Sequence, residues 1–401
     1  MPTRIRLLAL ATAVTAALVA AGPLSASAQS APTAPAASGR SVPAPLHRSA
    51  NALPGRYIVT LSENADPAEM VGRLGVKSQF MYKSVVRGFA AALTPVQLHN
   101  VRWTAGVEAV EEDAEVFAPK PADAIRVPAA SWGLDRIDQR SLPLNGEYNA
   151  TATGRGATAY ILDTGIDYAH SEFGGRAVFG YDAIGDGRNG EDCQGHGTHV
   201  AGTVGGATYG VAPEATLVSV RVLNCQGSGS LSGVIAGFDW VADNAVQPSV
   251  LNASLGGPQS TAVNNAANAV SDRGVLPVVA AGNESADACN VSPASASRVV
   301  TVGASDSADR QAGFSNFGEC LSLYAPGISI VSARRGGGSV AMDGTSMASP
   351  HVAGTALLYK AANPTAAPAT VASWLVAQST KSALSSLGQG SPNNLLYTGG
   401  L

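Results

Sequence analysis

Hydrophobic and polar positions divide the chain into four regimes. Leu7 to Ala21 is almost continuously apolar, follows Arg4 and Arg6, and is broken by Gly22 and Pro23. With the small residues Ala26-Ser27-Ala28 behind it, this is the pattern of an export signal over residues 1–28, removed after secretion. A membrane span needs about 18 or more uninterrupted apolar residues, and no later stretch reaches that length. Residues 29–53 are dominated by Ala, Pro and Ser and have no apolar period, which predicts a disordered linker. A compact α+β pattern follows. The β-branched run Gly55–Leu61, the segments Phe80–Tyr82 and Phe89–Leu93, and Val107–Val116 read as strands. Asp66–Leu74 reads as a helix, and Thr94-Pro95 opens a second one through Arg102.

From about Trp132 the pattern changes to short, wholly apolar strands ending in glycine-rich turns. Ala157–Leu162 is such a strand, with Asp163-Thr164-Gly165 at its C-terminal end. In an open parallel sheet, reactive residues gather at that end of the strands. The expected architecture is an α/β domain with a mostly parallel central sheet flanked by helices, preceded by a small α+β ferredoxin-like unit. The boundaries are 1–28 for the signal, 29–53 for the linker, 54–122 for the small unit and 123–401 for the large domain.

Composition narrows the function classes. The 401 residues are 45% hydrophobic and only 13% charged, with 45 glycines, as in a loop-rich globular enzyme. The net charge of −4 gives nucleic acid no reason to bind. From residue 122 onward there are 14 Lys and Arg against 21 Asp and Glu. An acidic domain of that kind suits an extracellular protein that holds cations.

Three blocks carry the chemistry. They are Asp163-Thr164-Gly165, Gly195-His196-Gly197-Thr198-His199-Val200-Ala201-Gly202, and Gly344-Thr345-Ser346-Met347-Ala348-Ser349-Pro350-His351. Singly, an Asp-Thr-Gly is a turn, a His is structural and a Gly-Thr-Ser is an N-cap. Together, in the order Asp, His, Ser, they resemble the subtilisin-type (subtilase, S8) serine peptidases. The likeness is to the proteinase K-like branch with its secreted, aqualysin-like bacterial members. Trp132–Gln139, Ala280-Ala281-Gly282-Asn283 and Phe314–Gly318 extend it. Residues 55–118 are similar to the inhibitory propeptide of these enzymes.

The resemblance implies a secreted serine endopeptidase, made as an autoprocessed zymogen, with Asp163, His196 and Ser346 as triad. His196 would take the Ser346 proton, and Asp163 would hold the imidazole. Asn283 matches the residue whose amide joins the Ser346 N–H in stabilising the oxyanion. The alternative for Asn283 is a loop residue or a glycan acceptor, since Asn283-Glu284-Ser285 is a sequon. A catalytically dead binding protein of the same fold would lack one of these four residues, and all are present. His199 reads as structural.

Gly227-Ser228-Gly229 and Ser254-Leu255-Gly256 resemble the two segments that pair with substrate as strands. With Ala280 and Gly282 they form an uncharged pocket, which predicts broad specificity biased to apolar or aromatic P1 side chains. Cys193, Cys225, Cys289 and Cys320 allow three disulfide pairings, and the resemblance implies Cys193–Cys225 with Cys289–Cys320. Asp135, Asp138, Gln139, Asn145 and Glu147 place oxygen ligands on one stretch, as structural Ca²⁺ requires. A second candidate lies around Asp182 and Asp186, whereas Ser322 stands where the resemblance leads one to expect an Asp ligand. No organic cofactor is expected. The partners are protein or peptide substrates and the chain's own propeptide, acting as intramolecular chaperone and inhibitor. The mature protein is expected to be a monomer free of the membrane. Maturation is expected at Phe117–Ala118, Ala122–Asp123 or Ala124–Ile125.

Overall fold

The computed structural model describes residues 42–118 and 131–401. The signal, the linker as far as residue 41 and two of the three candidate cleavage bonds lie outside the described residues.

Within residues 42–118, the strands Ala52–Leu61, Ser78–Tyr82, Gly88–Ala92 and Val107–Phe117 alternate with helices Pro67–Leu74 and Pro95–Trp103. Val107–Phe117 and Gly88–Ala92 flank Ala52–Leu61, and Ser78–Tyr82 lies at the edge. All of these pairs are antiparallel, a ferredoxin-like order. Local chemistry sets both helix starts. Asp66 accepts from the Glu69 N–H at 2.9 Å, and Thr94 with Gln97 forms a reciprocal capping box.

The linker expectation fails for its last residues. Leu46–His47 pairs in parallel with Val110 and Glu111. Ala44 is fully buried and exchanges bonds with Arg102, its N–H meeting the Arg102 carbonyl at 2.7 Å. Two apolar side chains and an open strand edge suffice to order a stretch whose composition looks unstructured.

The large domain is built on a nine-stranded sheet. Eight of its described strands run parallel: Ala177–Asp182, Thr216–Arg221, Thr158–Asp163, Ser249–Ala253, Leu276–Ala280, Val300–Ser305, Leu323–Pro326 and the short Asn394–Leu395, with Thr380–Lys381 antiparallel at the edge. The central strands are buried along their whole length, so they read as continuous apolar runs. Helices His196–Gly205 and Thr345–Ala362 cover one face. Helices Leu231–Asn244 and Thr261–Asp272 cover the other.

The small unit packs onto that second pair of helices. Ile58, Tyr82, Ala114 and Val116 share a core with Leu231, Val234 and Ala262. Two buried carboxylates cap the helix starts. Asp113 accepts from the Ser232 N–H (3.0 Å) and hydroxyl (2.6 Å). Glu111 accepts from the Ala262 N–H (2.9 Å) and the Ser260 hydroxyl (2.7 Å). The first N–H groups of a helix have no partner inside it, and an anion there is favoured.

Candidate active site

Asp163 ends one parallel strand, beside the point where the chain leaves for opposite faces of the sheet. His196 is the first residue of one helix, and Ser346 is the second of another. Gly197 lets the His196 helix approach, because a Cβ there would lie 2.2 Å from the Gly165 carbonyl oxygen. Asp192 ties the assembly together. Its carboxylate accepts from the Thr164 hydroxyl and from the N–H groups of Gln194, Gly195 and Thr198, at 2.8–3.0 Å.

His196 Nδ1 lies 2.7 Å from Asp163 Oδ1, and both side chains are buried. With Nδ1–H donated to the carboxylate, Nε2 keeps its lone pair. Nε2 is buried with no hydrogen-bond partner among the described residues. Ser346 Oγ donates instead to the Ser254 carbonyl at 3.2 Å. The return bond depends on Pro350. A proline inside a helix leaves the carbonyl four residues earlier without its N–H. That carbonyl is Ser346's, and Ser254 Oγ donates to it at 2.9 Å. Asn252 and Ser349 continue the lock through bonds of 2.9 and 2.8 Å.

Asn283 is oriented by its oxygen, which accepts from the Thr345 N–H (2.8 Å) and hydroxyl (2.9 Å). No described residue accepts from its Nδ2. Asn283 lines the same cavity of about 450 Å³ as Ser346, Ala280, Gly282, Leu255 and Gly256. Asp287 and Glu284 line it too, against the expectation of an uncharged pocket. Glu284 Oε2 accepts from Asn316 Nδ2 at 2.9 Å. The uncharged pocket was expected from segments ending at Gly282, and Glu284 figured only as the middle residue of a sequon.

The groove beside Ser346 holds the end of the small unit. Glu115, Val116 and Phe117 pair antiparallel with Ser230, Gly229 and Ser228. On the other side, Phe117 exchanges N–H···O bonds of 3.2 and 3.4 Å with Gly256, and the Ala118 N–H reaches the Gly227 carbonyl at 2.9 Å. Residues 115–118 thus lie as a middle strand between the two glycine-rich segments. Phe117 sits opposite Gly256, two residues short of Ser254, and its side chain is 45% exposed. The Phe117–Ala118 bond is therefore not the one brought to Ser346.

His199 is fully buried, with Nε2 facing the carbonyls of Ile330 and Val340. Burial, helped by nearby His196, pushes its pKa down to about 3, so it is a neutral packing residue. Cys193 joins Cys225 and Cys289 joins Cys320, with Cα separations of 5.0 and 5.4 Å.

The two acidic loops differ. Asp135 accepts from the N–H groups of Asn145 and Gly146, at 3.2 and 2.8 Å. Asp138 Oδ2 accepts from the Asn149 N–H at 2.6 Å, while Oδ1 is buried without a partner among the described residues. Burial first, and then Asp135, raise the Asp138 pKa. Gln139 turns its amide nitrogen to the Ser141 and Pro143 carbonyls. Asn145 Oδ1 accepts from the Glu147 N–H. Among the described residues no three acidic, His or Cys side chains converge as a ready metal site, so Glu147 does not join Asp135 and Asp138.

At the second candidate the cation is already present. Arg221, with its side chain fully buried, places Nη1 3.0 Å from Asp182 and 2.6 Å from Asp186, and Nη2 2.9 Å from Asp186. The guanidinium bonds hold the Asp186 pKa down to about 2. The expectation of calcium at Asp182 and Asp186 is therefore withdrawn.

An open parallel sheet with a paired Asp–His and a helix-borne Ser beside a strand-lined groove defines a serine hydrolase that acts on extended chains. The comparisons carry this further. The subtilase family matches residues 154–395. The chain is 47% identical over 391 residues to an extracellular serine proteinase of Thermus sp. (strain Rt41A), covering 91% of this chain and 94% of that one. It is 48% identical over 332 residues to alkaline serine exoprotease A of Vibrio alginolyticus, covering 82% of this chain and 62% of that relative. Among solved structures, a cold-adapted subtilisin-like serine proteinase superposes with a TM-score of 0.66 at 52% identity, covering 68% of this chain and 99% of that one. The chain belongs to the subtilase family and is a serine endopeptidase. No described helix is long and apolar enough to cross a membrane.

Proposed function

We propose that this chain is the precursor of a secreted, monomeric endopeptidase of broad specificity, inhibited by its own N-terminal unit until it cuts itself free. The observation that carries this reading is the seating of residues 115–118 between Gly227–Ser230 and Gly256, beside Ser346 and the Asp163–His196 pair. In this reading residues 1–28 direct export. The ferredoxin-like unit then templates the large domain and remains as a product-like inhibitor.

A substrate takes the same path through the groove. Ser346 Oγ leaves the Ser254 carbonyl and attacks the scissile carbonyl carbon, passing its proton to His196 Nε2. Negative charge gathers on the carbonyl oxygen, toward the Ser346 N–H and Asn283 Nδ2. Collapse breaks the C–N bond as His196 protonates the departing amine, leaving an acyl group on Ser346. Water, deprotonated by His196, releases it. Asp163 holds the ring by its Nδ1–H and stabilises the imidazolium. The apolar walls of the pocket favour apolar P1 groups, and Glu284 at its rim adds tolerance for Lys.

Calcium is part of the proposal for one loop only. The unpaired buried Oδ1 of Asp138 fits a hard cation held with Asp135 and neighbouring oxygens of Gln139 or Asn145. Bound there, it would tie residues 135–149 together and take no part in the chemistry.

The test is Ser346→Ala. The purified variant should neither react with a fluorophosphonate nor process itself, while the parent does both. Labelling or maturation of the variant at the parent's rate would overturn the assignment. Asn283→Ala should lower kcat about 10²–10³-fold, the size of effect known for such a donor in subtilisin.

A further inference from the structure

The helix that begins with Thr345 and Ser346 ends at Ala362, and near its far end it carries a lysine that catalysis does not use. Fourteen residues separate Ser346 from Lys360, about 21 Å along a helix. Lys360 is 1% exposed. Its Nζ donates to the Gly274 carbonyl at 2.8 Å and to Gln247 Oε1 at 3.0 Å. Both acceptors are neutral. Among the described residues no carboxylate lies within 4.0 Å of this ammonium, in contrast to buried Arg136 and Arg221, which each face Asp. A buried charge without a counter-ion is costly, and an ammonium has a third N–H to give.

Lys360 also lines a cavity of about 910 Å³, at the N-terminal edge of the parallel strands and thus opposite the triad. Leu276, Val299, Pro368 and Ala372 supply apolar wall. The one acid in the lining, Asp272, is bonded to Arg298. The lining therefore keeps one positive charge in excess. A volume of this size is in the range of small-molecule sites.

We infer that this cavity binds a small organic monocarboxylate with a short apolar tail, its carboxylate meeting Lys360 and its tail lying along Leu276, Val299 and Ala372. A carboxylate supplies the missing counter-charge, and an apolar tail gains from the wall. Burial lowers the amine pKa to about 8, so affinity is expected to fall as pH rises above that value. The plainer role, a lysine closing the C-terminal end of helix Thr261–Asp272 through Gly274, accounts for one of its bonds. It does not account for a charged cavity, and it predicts no response to carboxylates.

Hexanoate and its neutral twin hexanamide distinguish the two. With the Ser346→Ala full chain, which cannot digest itself, hexanoate should raise the thermal midpoint saturably, by roughly 2 °C at a tenfold excess over its dissociation constant. Hexanamide should not. Lys360→Met should abolish the shift. Should that variant not fold, exposed Ala369→Trp fills the cavity mouth with Lys360 intact and should abolish it equally. No shift in the parent, equal shifts with both compounds, or a shift that persists in Ala369→Trp would each overturn the inference.

Discussion

Two loops of the large domain gather acidic side chains, and they solve the resulting repulsion in opposite ways. Asp182 and Asp186 close on Arg221, which comes from the strand that pairs with the Asp163 strand. Among the described residues Asp135 and Asp138 have no such partner. Backbone N–H groups satisfy three of their four oxygens, and Asp138 Oδ1 stays orphaned. Counting carboxylates does not distinguish the loops. What separates them is whether the chain brings its own cation. Arg221 also donates from Nε to the Thr164 carbonyl, next to Asp163, at 3.2 Å. The self-neutralised loop is thereby attached to the residue beside Asp163, whereas the Asp135 and Asp138 carboxylates bond to the N–H groups of Asn145, Gly146 and Asn149.

The largest expected effect comes from removing the internal cation. Arg221→Met, in the Ser346→Ala background, leaves two carboxylates facing each other with only backbone N–H groups and the half-exposed Arg188 to offset them. Urea unfolding should show a loss of about 3–5 kcal/mol, and a loss within error of zero would mean the guanidinium is dispensable. A smaller effect is expected from calcium. Chelator should lower the thermal inactivation midpoint, by up to the equivalent of about 2.7 kcal/mol where calcium stands at a hundredfold excess over its dissociation constant. Asp138→Asn should remove that sensitivity and Asp186→Asn should keep it. The reverse pattern would exchange the roles of the loops.

The smallest effect concerns acid. Asp186 has a pKa depressed to about 2 by Arg221. Its contribution is complete above the ordinary carboxylate range and is lost as pH falls toward 2. The midpoint should therefore drop less steeply between about pH 4 and 2 in Asp186→Asn than in its parent. Because Asp186 is about a third exposed, the difference should be modest. Parallel curves would show that the pair adds nothing.

Much of this was legible before any coordinates. Helix starts such as Asp66 and Thr94–Gln97 are written in adjacent residues, and so are the glycines around His196. The Asp–His–Ser order is equally local. What escaped is non-local. Leu46 finds its strand partner more than sixty residues away. Arg221 looks like an ordinary residue in Val-Ser-Val-Arg-Val, because its acids lie 35 and 39 positions earlier. Glu284 was hidden differently, standing two residues beyond the segment taken as pocket. Asn252 did leave a trace, a polar residue inside an apolar strand, and Asp192 left another, an acid three residues before the glycine that opens a helix.

The proline in the Ser346 helix has a consequence beyond one missing hydrogen bond. It frees the Ser346 carbonyl for the Ser254 hydroxyl, and with the Ser346 hydroxyl donating back to the Ser254 carbonyl the two residues grip each other in both directions. Ser254 begins the segment whose Gly256 pairs with Phe117, so in the proposed reading the ruler and the blade are fastened at one joint. A jolt to the groove carries the attacking oxygen along with it, and the gap between them is preserved. Changes elsewhere along the groove can then retune which peptides are held without disturbing where they are cut.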